Sequence, residues 1–308
     1  MFGNETILVT GGKGLLGQAV VVHLLARGIP PERIKSPSHA ECDLRDVENC
    51  KRVVEGVGVV LHLAARTGGL TLHRNEPGNI LYDNTLMNLN LLAASREAGV
   101  RKFVGIGSAA AYPKESPLPS QEEYLWGPFD SEALHASYNF SKLALLLQGL
   151  AYRKESNFNA VHLIATNMYG PGDNGRTGYV IPTLIARIRE AKKQKVGEIE
   201  VWGTPHDTRD FLFSEDAAAA IVAAAELYDE GAPVNIASGK EVSIGELVET
   251  LCRLMDFSGT VRFEKPEALG SRRLLDTTKA RELLKWESTT SLEEGLKKTL
   301  VWFDKEVT

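Results

Sequence analysis

Short apolar runs alternate with helix-length segments through the first 170 residues. Residues 7–10 (ILVT) read as a strand that runs into a cluster of glycines, and residues 15–27 as a helix that is apolar around much of its circumference. Residues 58–64 (GVVLHLA), 102–107 (KFVGIG) and 160–165 (AVHLIA) read as further strands. Helices are predicted over 84–98, with leucines at 86, 89, 91 and 92, and over 138–155. This alternation predicts an α/β fold of Rossmann type, a doubly wound parallel sheet with helices on both faces and right-handed crossovers. After Gly170 the rhythm changes. Residues 170–175 form a Gly/Pro/Asn loop cluster, followed by predicted helices over 180–191, 214–227, 243–255 and 291–303 and strands over 198–202 and 234–237. Ser243 and Ser291 stand where N-caps belong. The expected organisation is a dinucleotide-binding domain over 1–170, completed by a returning segment 205–238. A smaller C-terminal α/β lobe would comprise 171–204 and 239–308.

Composition narrows the function classes. Hydrophobic residues make up 43% and charged residues 24% of the 308, which excludes disordered and fibrous classes. The balance of 35 Lys and Arg against 40 Asp and Glu carries no electrostatic footprint for nucleic acid. The cysteines are Cys42, Cys50 and Cys252, without metal-ligand spacing, so neither a disulfide framework nor a metal site is expected. No apolar stretch approaches the roughly 18 residues of a membrane span. The first residues lack the basic and apolar regions of a signal peptide. The expectation is a cytoplasmic protein that binds neither nucleic acid nor membrane.

Gly11, Gly14 and Gly17 have the spacing of a phosphate-binding turn between a strand and a helix, with Lys13, Leu15 and Leu16 between them. The first glycine permits the tight turn, the second lets a pyrophosphate approach the backbone, and the third lets helix pack on strand. The phosphate charge then lies at the helix N-terminus. A plain strand–helix turn is the alternative, and the flanking strand and helix favour the dinucleotide reading. The second strand should end near residues 35–38. No acid lies there between Ile34 and Ala40 to hold the 2′-hydroxyl of NAD; instead Ser36 and Ser38 offer hydroxyls, with Lys13 and Lys35 nearby. This favours NADP, with NAD as the alternative. Asp43 is a candidate partner for the adenine amino group, with Leu44 beside it.

Tyr138 and Lys142 stand four apart, one above the other on a helix face. A free tyrosine titrates near ~10. A lysine cation close by should lower that value and let Tyr138 exchange a proton with a sugar oxygen while hydride moves to or from nicotinamide. Ser108 ends a predicted strand, where ligands of parallel sheets bind, and can hydrogen-bond the same oxygen.

The glycine loop with Ser108, Tyr138 and Lys142 resembles the extended short-chain dehydrogenase/reductase (NAD-dependent epimerase/dehydratase) family. Within it the nearest resemblance is to the GDP-L-fucose synthase group of GDP-4-keto-6-deoxymannose epimerase/reductases, and it runs almost end to end. Leu63-Ala64-Ala65-Arg66-Thr67-Gly68-Gly69, Ala111-Tyr112-Pro113-Lys114, Thr166-Asn167-Met168-Tyr169-Gly170-Pro171, Val201-Trp202-Gly203 and Arg273-Leu274-Leu275-Asp276 stand at motif positions of that group. The resemblance implies cofactor contacts at Leu63, Ala64 and Ala65. It implies substrate contacts at Asn167, Val180, Arg187, Trp202 and Arg209, with the two arginines facing a diphosphate and Trp202 against the base or ribose. It also implies a homodimer through a four-helix interface, which the leucine-rich helix at 138–155 independently suggests.

Two departures from that group matter. Its epimerising members carry a cysteine two residues after the catalytic serine and a histidine just before the Val-Ile-Pro segment; here the positions hold Ala110 and Tyr179. Alanine exchanges no proton, so the two-sided exchange needed for inversion is not expected. Related dehydratases carry an Asp-Glu pair beside the catalytic hydroxyl, where this chain has Ala109 and Ala110. The leading expectation is therefore an NADPH-dependent 4-ketoreductase of a GDP-linked 4-keto-6-deoxy sugar. The alternatives are a C4 epimerase that retains NAD and a catalytically silent dinucleotide sensor.

Overall fold

The computed structural model describes residues 2–173, 178–264 and 272–306. Asn174 and Gly175 of the predicted loop cluster lie outside the described residues. The elements, in chain order, begin with β1 (Thr6–Thr10), α1 (Leu15–Ala26), β2 (Ile34–Lys35), α2 (Val47–Val54), β3 (Val57–His62), α3 (Leu70–Asn75) and α4 (Pro77–Glu97). Next come β4 (Lys102–Ser108), α5 (Ala136–Ser156), β5 (Ala160–Ala165), β6 (Asn167–Tyr169), α6 (Val180–Gln194) and β7 (Glu198–Trp202). The chain continues through β8 (Thr208–Phe213), α7 (Ser214–Leu227), β9 (Val234–Ile236), β10 (Glu241–Ser243), α8 (Ile244–Leu254), β11 (Thr260–Glu264), α9 (Thr278–Leu283) and α10 (Leu292–Glu306).

Six parallel strands form the central sheet in the order β2-β1-β3-β4-β5-β9. The chain leaves β1 toward β2 and then crosses to β3, so the switch in strand order falls between β1 and β3. Ligands of doubly wound sheets bind outside the carboxyl ends of the strands at that point. Every residue of β5 is buried, as a strand covered on both faces requires. On one face α1 lies with α7, whose alanines Ala217, Ala218, Ala220, Ala224 and Ala225 are buried and allow close approach. On the other face α2, α4 and α5 enclose Leu91, Leu92, Phe103 and Leu145. Each such buried side chain contributes roughly 1.5–3 kcal/mol.

A third core joins α6, α8 and α10 through Ile185, Ile188, Leu247, Leu251, Leu296 and Phe303. It rests on two small sheets, β10-β8-β6 and β11-β7. Ser243 caps α8 through a reciprocal pair with Glu246, and Ser291 makes the same exchange with Glu294 ahead of α10. The helix expected over 84–98 begins seven residues earlier, at Pro77, because proline fits the first helical position, where its missing N–H costs nothing. On the outer surface of α4 and α5, Tyr82, Phe140 and Leu147 are 64%, 51% and 58% exposed. Among the described residues no helix is long and apolar enough to cross a membrane.

Candidate active site

The glycine loop takes its shape from contacts that only glycine permits. Gly11 has φ +69°, and a Cβ there would lie 2.8 Å from the Ala64 nitrogen. A Cβ on Gly17 would lie 2.2 Å from the Gly11 oxygen, so α1 presses directly on the turn. Gly14 is the N-cap of α1 and brings no side-chain cap, which leaves the first-turn N–H groups for an anion.

A buried chain of hydrogen bonds ties this turn to the helix that follows β4. The Thr10 hydroxyl accepts from the Leu63 and Ala64 nitrogens, at 3.1 and 3.2 Å, and donates to His62 Nδ1 at 2.8 Å. His62 Nε2 donates to Asn88 Oδ1 at 2.9 Å, and Asn88 Nδ2 donates to the Ser141 carbonyl at 2.9 Å. Burial holds His62 neutral, its pKa pushed down to about 3. The sequence alone carried no signal for this chain beyond a lone histidine at a strand end.

Above it, a cavity of about 790 Å³ opens at the carboxyl ends of β1, β3, β4 and β5. Gly11, Lys13, Gly14, Leu15, Leu16, Gly17, Ser38 and Leu44 line one end. Leu63, Ala64 and Ala65 form its floor, and Ser108, Tyr138, Lys142, Asn167 and Val180 face the other end. The two ends of the cavity therefore hold the phosphate turn and the Ser/Tyr/Lys trio. Ala110 and Tyr179 line the same space. Cradle, uncapped helix and floor fit a dinucleotide. Among the described residues no group of three or more His, Cys, Asp or Glu side chains is placed to hold a metal ion.

The electrostatics differ from the expectation in one respect. Lys142 Nζ lies 5.6 Å from the centre of the Tyr138 ring. The expected lowering of the Tyr138 pKa by this cation is not what the site shows: burial pushes the phenol above its ordinary value. Desolvation of the phenolate is the largest cause, and the neighbouring Tyr179 adds to it. Lys142 is buried as well and is pushed down to about 8.

Beside Ser38, Glu41 folds back so that Ser38 N and Ser38 Oγ both donate to its carboxylate at 2.7 Å. Those bonds and the Lys13 charge hold it below the usual carboxylate range. Ser-x-x-Glu is a capping-box pattern, the signal that would have found it. Ser36 does not line the cavity; its hydroxyl packs on Gly12. Asp43 does not line it either, and its carboxylate is held by Arg45, which also pairs with Asp83.

Arg187 and Trp202 lie together in the smaller lobe, the guanidinium 5.8 Å from the indole centre, and Trp202 is half exposed. Neither lines the cavity, and nor does Arg209. Arg209 Nη1 donates to the Thr208 carbonyl at 2.7 Å. Burial and the Arg209 charge push Arg273 down to about 10, and Arg273 donates to the Ala109 carbonyl at 2.7 Å. Two partly exposed guanidinium charges that act on each other suit a bound anion. His135 faces both arginines and packs edge-on against His73, with ring centres 4.3 Å apart. Burial leaves it neutral, at about 4. Arg66 pairs with Asp83 and Glu76 at the rim. Arg273 and Arg66 stood within resembling motifs, whereas His73 and His135 had no sequence signal.

The sequence model of the NAD dependent epimerase/dehydratase family matches residues 7–242. A GDP-L-fucose synthase of Sinorhizobium fredii is 33% identical over 309 residues, covering 99% of this chain and 97% of its own. A GDP-L-fucose synthetase of Naegleria fowleri, solved bound to NADP, superposes with a TM-score of 0.88 at 28% identity, covering 98% of this chain and 93% of its own. A GDP-6-OMe-4-keto-L-xylo-heptose reductase of Campylobacter jejuni shares the fold, with a TM-score of 0.90 at 24% identity and coverage of 98% and 99%.

Proposed function

From the NAD dependent epimerase/dehydratase family, to which this chain belongs, we propose that it is an NADPH-dependent reductase of a GDP-linked 4-keto-6-deoxy sugar. The observation that carries the reading is one cavity with the phosphate turn at one end and Ser108, Tyr138 and Lys142 at the other. The names of the relatives support the GDP-sugar class and the NADP cofactor.

Gly11, Gly14, Gly17 and the start of α1, with Leu15 and Leu16, would hold the cofactor diphosphate, and Lys13 and Ser38 the 2′-phosphate. Bound NADPH would supply the hydride for C4. The Ser108 hydroxyl fixes the 4-keto oxygen, and Tyr138 donates its proton to that oxygen. The Lys142 ammonium stabilises the phenolate that results. Arg209, with Arg273, holds the substrate diphosphate; Arg187 and Trp202 take the nucleoside; Asn167 and Val180 border the sugar. Without a Cys/His pair at Ala110 and Tyr179, the C3 and C5 hydrogens stay in place.

Residues 1–170 with 205–238 act as the cofactor domain and the remainder as the substrate lobe. The exposed Tyr82, Phe140 and Leu147 pair two copies across a four-helix interface, and a monomeric mass in light scattering contradicts that arrangement. One observation favours a second reading, a C4 epimerase that retains NAD: the Glu41 carboxylate at Ser38 opposes a 2′-phosphate. Incubation with NADPH and a panel of GDP-, UDP- and dTDP-4-keto sugars separates them. The reductase consumes NADPH one for one with product. The epimerase interconverts nucleotide sugars with no net change in nicotinamide absorbance.

A further inference from the structure

We propose that Asn139 is a positioning residue for the reaction: its side-chain amide pins the turn that follows Ser108 and so holds the Ser108 hydroxyl to the same substrate oxygen as Tyr138. The inference rests on the reductase reading for the step that this arrangement serves, while the pinned turn is a property of the folded protein.

β4 ends at Ser108 and passes into a single turn, Ala109–Ala111, of which Ser108 is the N-cap. Ala110 N donates to Ser108 Oγ at 3.2 Å. A hydroxyl has one hydrogen to give, and a lone pair engaged in this way leaves that hydrogen for another acceptor. Among the described residues nothing accepts it, and Ser108 and Ala110 both line the cavity. The direction of the hydroxyl is therefore set by the Ala110 N–H, and that of the N–H by the peptide units of the turn.

Two side chains hold those units. Asn139 Nδ2 donates to the Ala110 carbonyl at 2.7 Å, and Arg273 Nη1 donates to the Ala109 carbonyl at 2.7 Å. The Ala109 carbonyl and the Ala110 N–H belong to one peptide unit, so the guanidinium at one end strengthens the bond that the other end makes to Ser108. Asn139 fixes the next unit. It is the residue after Tyr138 on α5, so its bond ties the helix that bears the phenol to the turn that follows the serine. α5 has anchors of its own: Leu145 and Leu146 are buried, and Asn88 Nδ2 donates to the Ser141 carbonyl at 2.9 Å. Loss of the Asn139 bond should therefore release the turn and leave the helix in place.

The surroundings of Asn139 favour this role over one of packing. The residue is 5% exposed and does not line the cavity. Its Oδ1 is buried without a hydrogen-bond partner among the described residues. An amide that only filled space would bear that desolvation without return, and leucine, close to it in size, would not. The polar contact that the side chain does make among the described residues is its donation to Ala110.

The test uses the full-length protein and the variants Asn139→Leu and Asn139→Asp, each alone and combined with Ser108→Ala. Leucine removes the donor and the orphaned acceptor together; aspartate keeps the shape and turns an oxygen toward the Ala110 carbonyl. With NADPH and a GDP-4-keto sugar, each should lower kcat about ten- to a hundredfold, as a misplacement on the order of an ångström does, with NADPH affinity unchanged. In the Ser108→Ala background the same substitutions should cost less than about twofold, because the group they act through is gone. An unchanged kcat overturns the proposal. So does an equal loss in both backgrounds, which is what a merely structural role would produce. A second measurement needs no turnover. With alanine labelled with ¹⁵N, the amide resonance that Ala110→Gly abolishes should move in Asn139→Leu, as it should in Ser108→Ala. A resonance that stays in place in Asn139→Leu overturns the pinning. If it moves but the wild-type protein reduces no 4-keto sugar, the pinned turn stands and the reductase reading falls.

Discussion

Gly17→Ala and Gly14→Ala put one methyl group at two points of the same turn and should fail in different ways. At Gly17 the new carbon would stand 2.2 Å from the Gly11 oxygen, 2.4 Å from Gly12 Cα and 2.7 Å from Gly11 C. All three atoms are backbone, and ordinary contact begins at 3.4 Å, so turn and helix must separate by about 1.2 Å. Overpacking of this kind costs about 1–3 kcal/mol. The displaced backbone is also what would bind the cofactor diphosphate in the proposed reading. Loss of one hydrogen bond to a charged group, at about 1.5–3 kcal/mol, weakens binding by roughly tenfold to a hundredfold. At Gly14 the carbon meets only the Gly11 oxygen, at 3.3 Å, and φ is −82°, which alanine accepts. The protein should therefore keep its stability, while the methyl group occupies the approach to the diphosphate. The assays are thermal unfolding and NADPH fluorescence titration. Gly17→Ala should lower both Tm and affinity, with Tm falling about 2–4 °C per kcal/mol. Gly14→Ala should lower affinity alone. Wild-type affinity in Gly17→Ala, or equal Tm losses in the two variants, would refute the assignment of this turn.

Tyr138→Phe should leave NADPH affinity nearly intact and reduce turnover by about two to four orders of magnitude, the usual size of a lost general acid; turnover within tenfold of wild type removes Tyr138 from that role. Burial lowers Lys142 to about 8, so its ammonium is lost as pH rises through that value. The kcat/KM profile should then fall about tenfold per unit above pH ~8, a limb that Lys142→Met should abolish. Stability linked to Lys142 should move the opposite way. An unfolded lysine titrates near ~10.4, so between about 8 and that value the unfolded state holds more protons, and stability rises with pH. A Lys142→Met variant with the wild-type stability profile across this window contradicts the shift.

Local pattern revealed the parts of the fold that depend on local pattern. β5, β7 and α7 have the boundaries their apolar runs and Ser214 imply, because buried strands and an alanine-rich helix announce themselves. Other elements depend on partners distant in the chain. β2 has only two residues and exists by pairing with β1. β11 alternates exposed and half-buried positions and is defined by its pairing with β7, some sixty residues away. The candidate site divides in the same way. The spacing of Gly11, Gly14 and Gly17, and of Tyr138 and Lys142, is set within one turn or one helix and was visible in the sequence. His135 near Arg209 and Arg273, or Thr67 against Tyr179, joins segments that only the folded chain brings together. Glu41 was legible in principle, since it closes on Ser38 three residues away. Spacing reports the Lys142 cation near Tyr138 but not the burial that raises the phenol's pKa.

The central claim is reduction without inversion, and it is tested by turnover in D₂O. The protein is incubated with NADPH and a GDP-4-keto-6-deoxy sugar, nicotinamide absorbance is followed, and the product is examined by NMR. Inversion beside a keto group needs acid–base groups on both faces of the ring, and Ala110 leaves one face without a group that exchanges protons. The account predicts one NADPH consumed per product, with protium retained at C3 and C5 apart from slow uncatalysed exchange. Enzyme-dependent deuterium at either carbon, or conversion without NADPH loss, would contradict it.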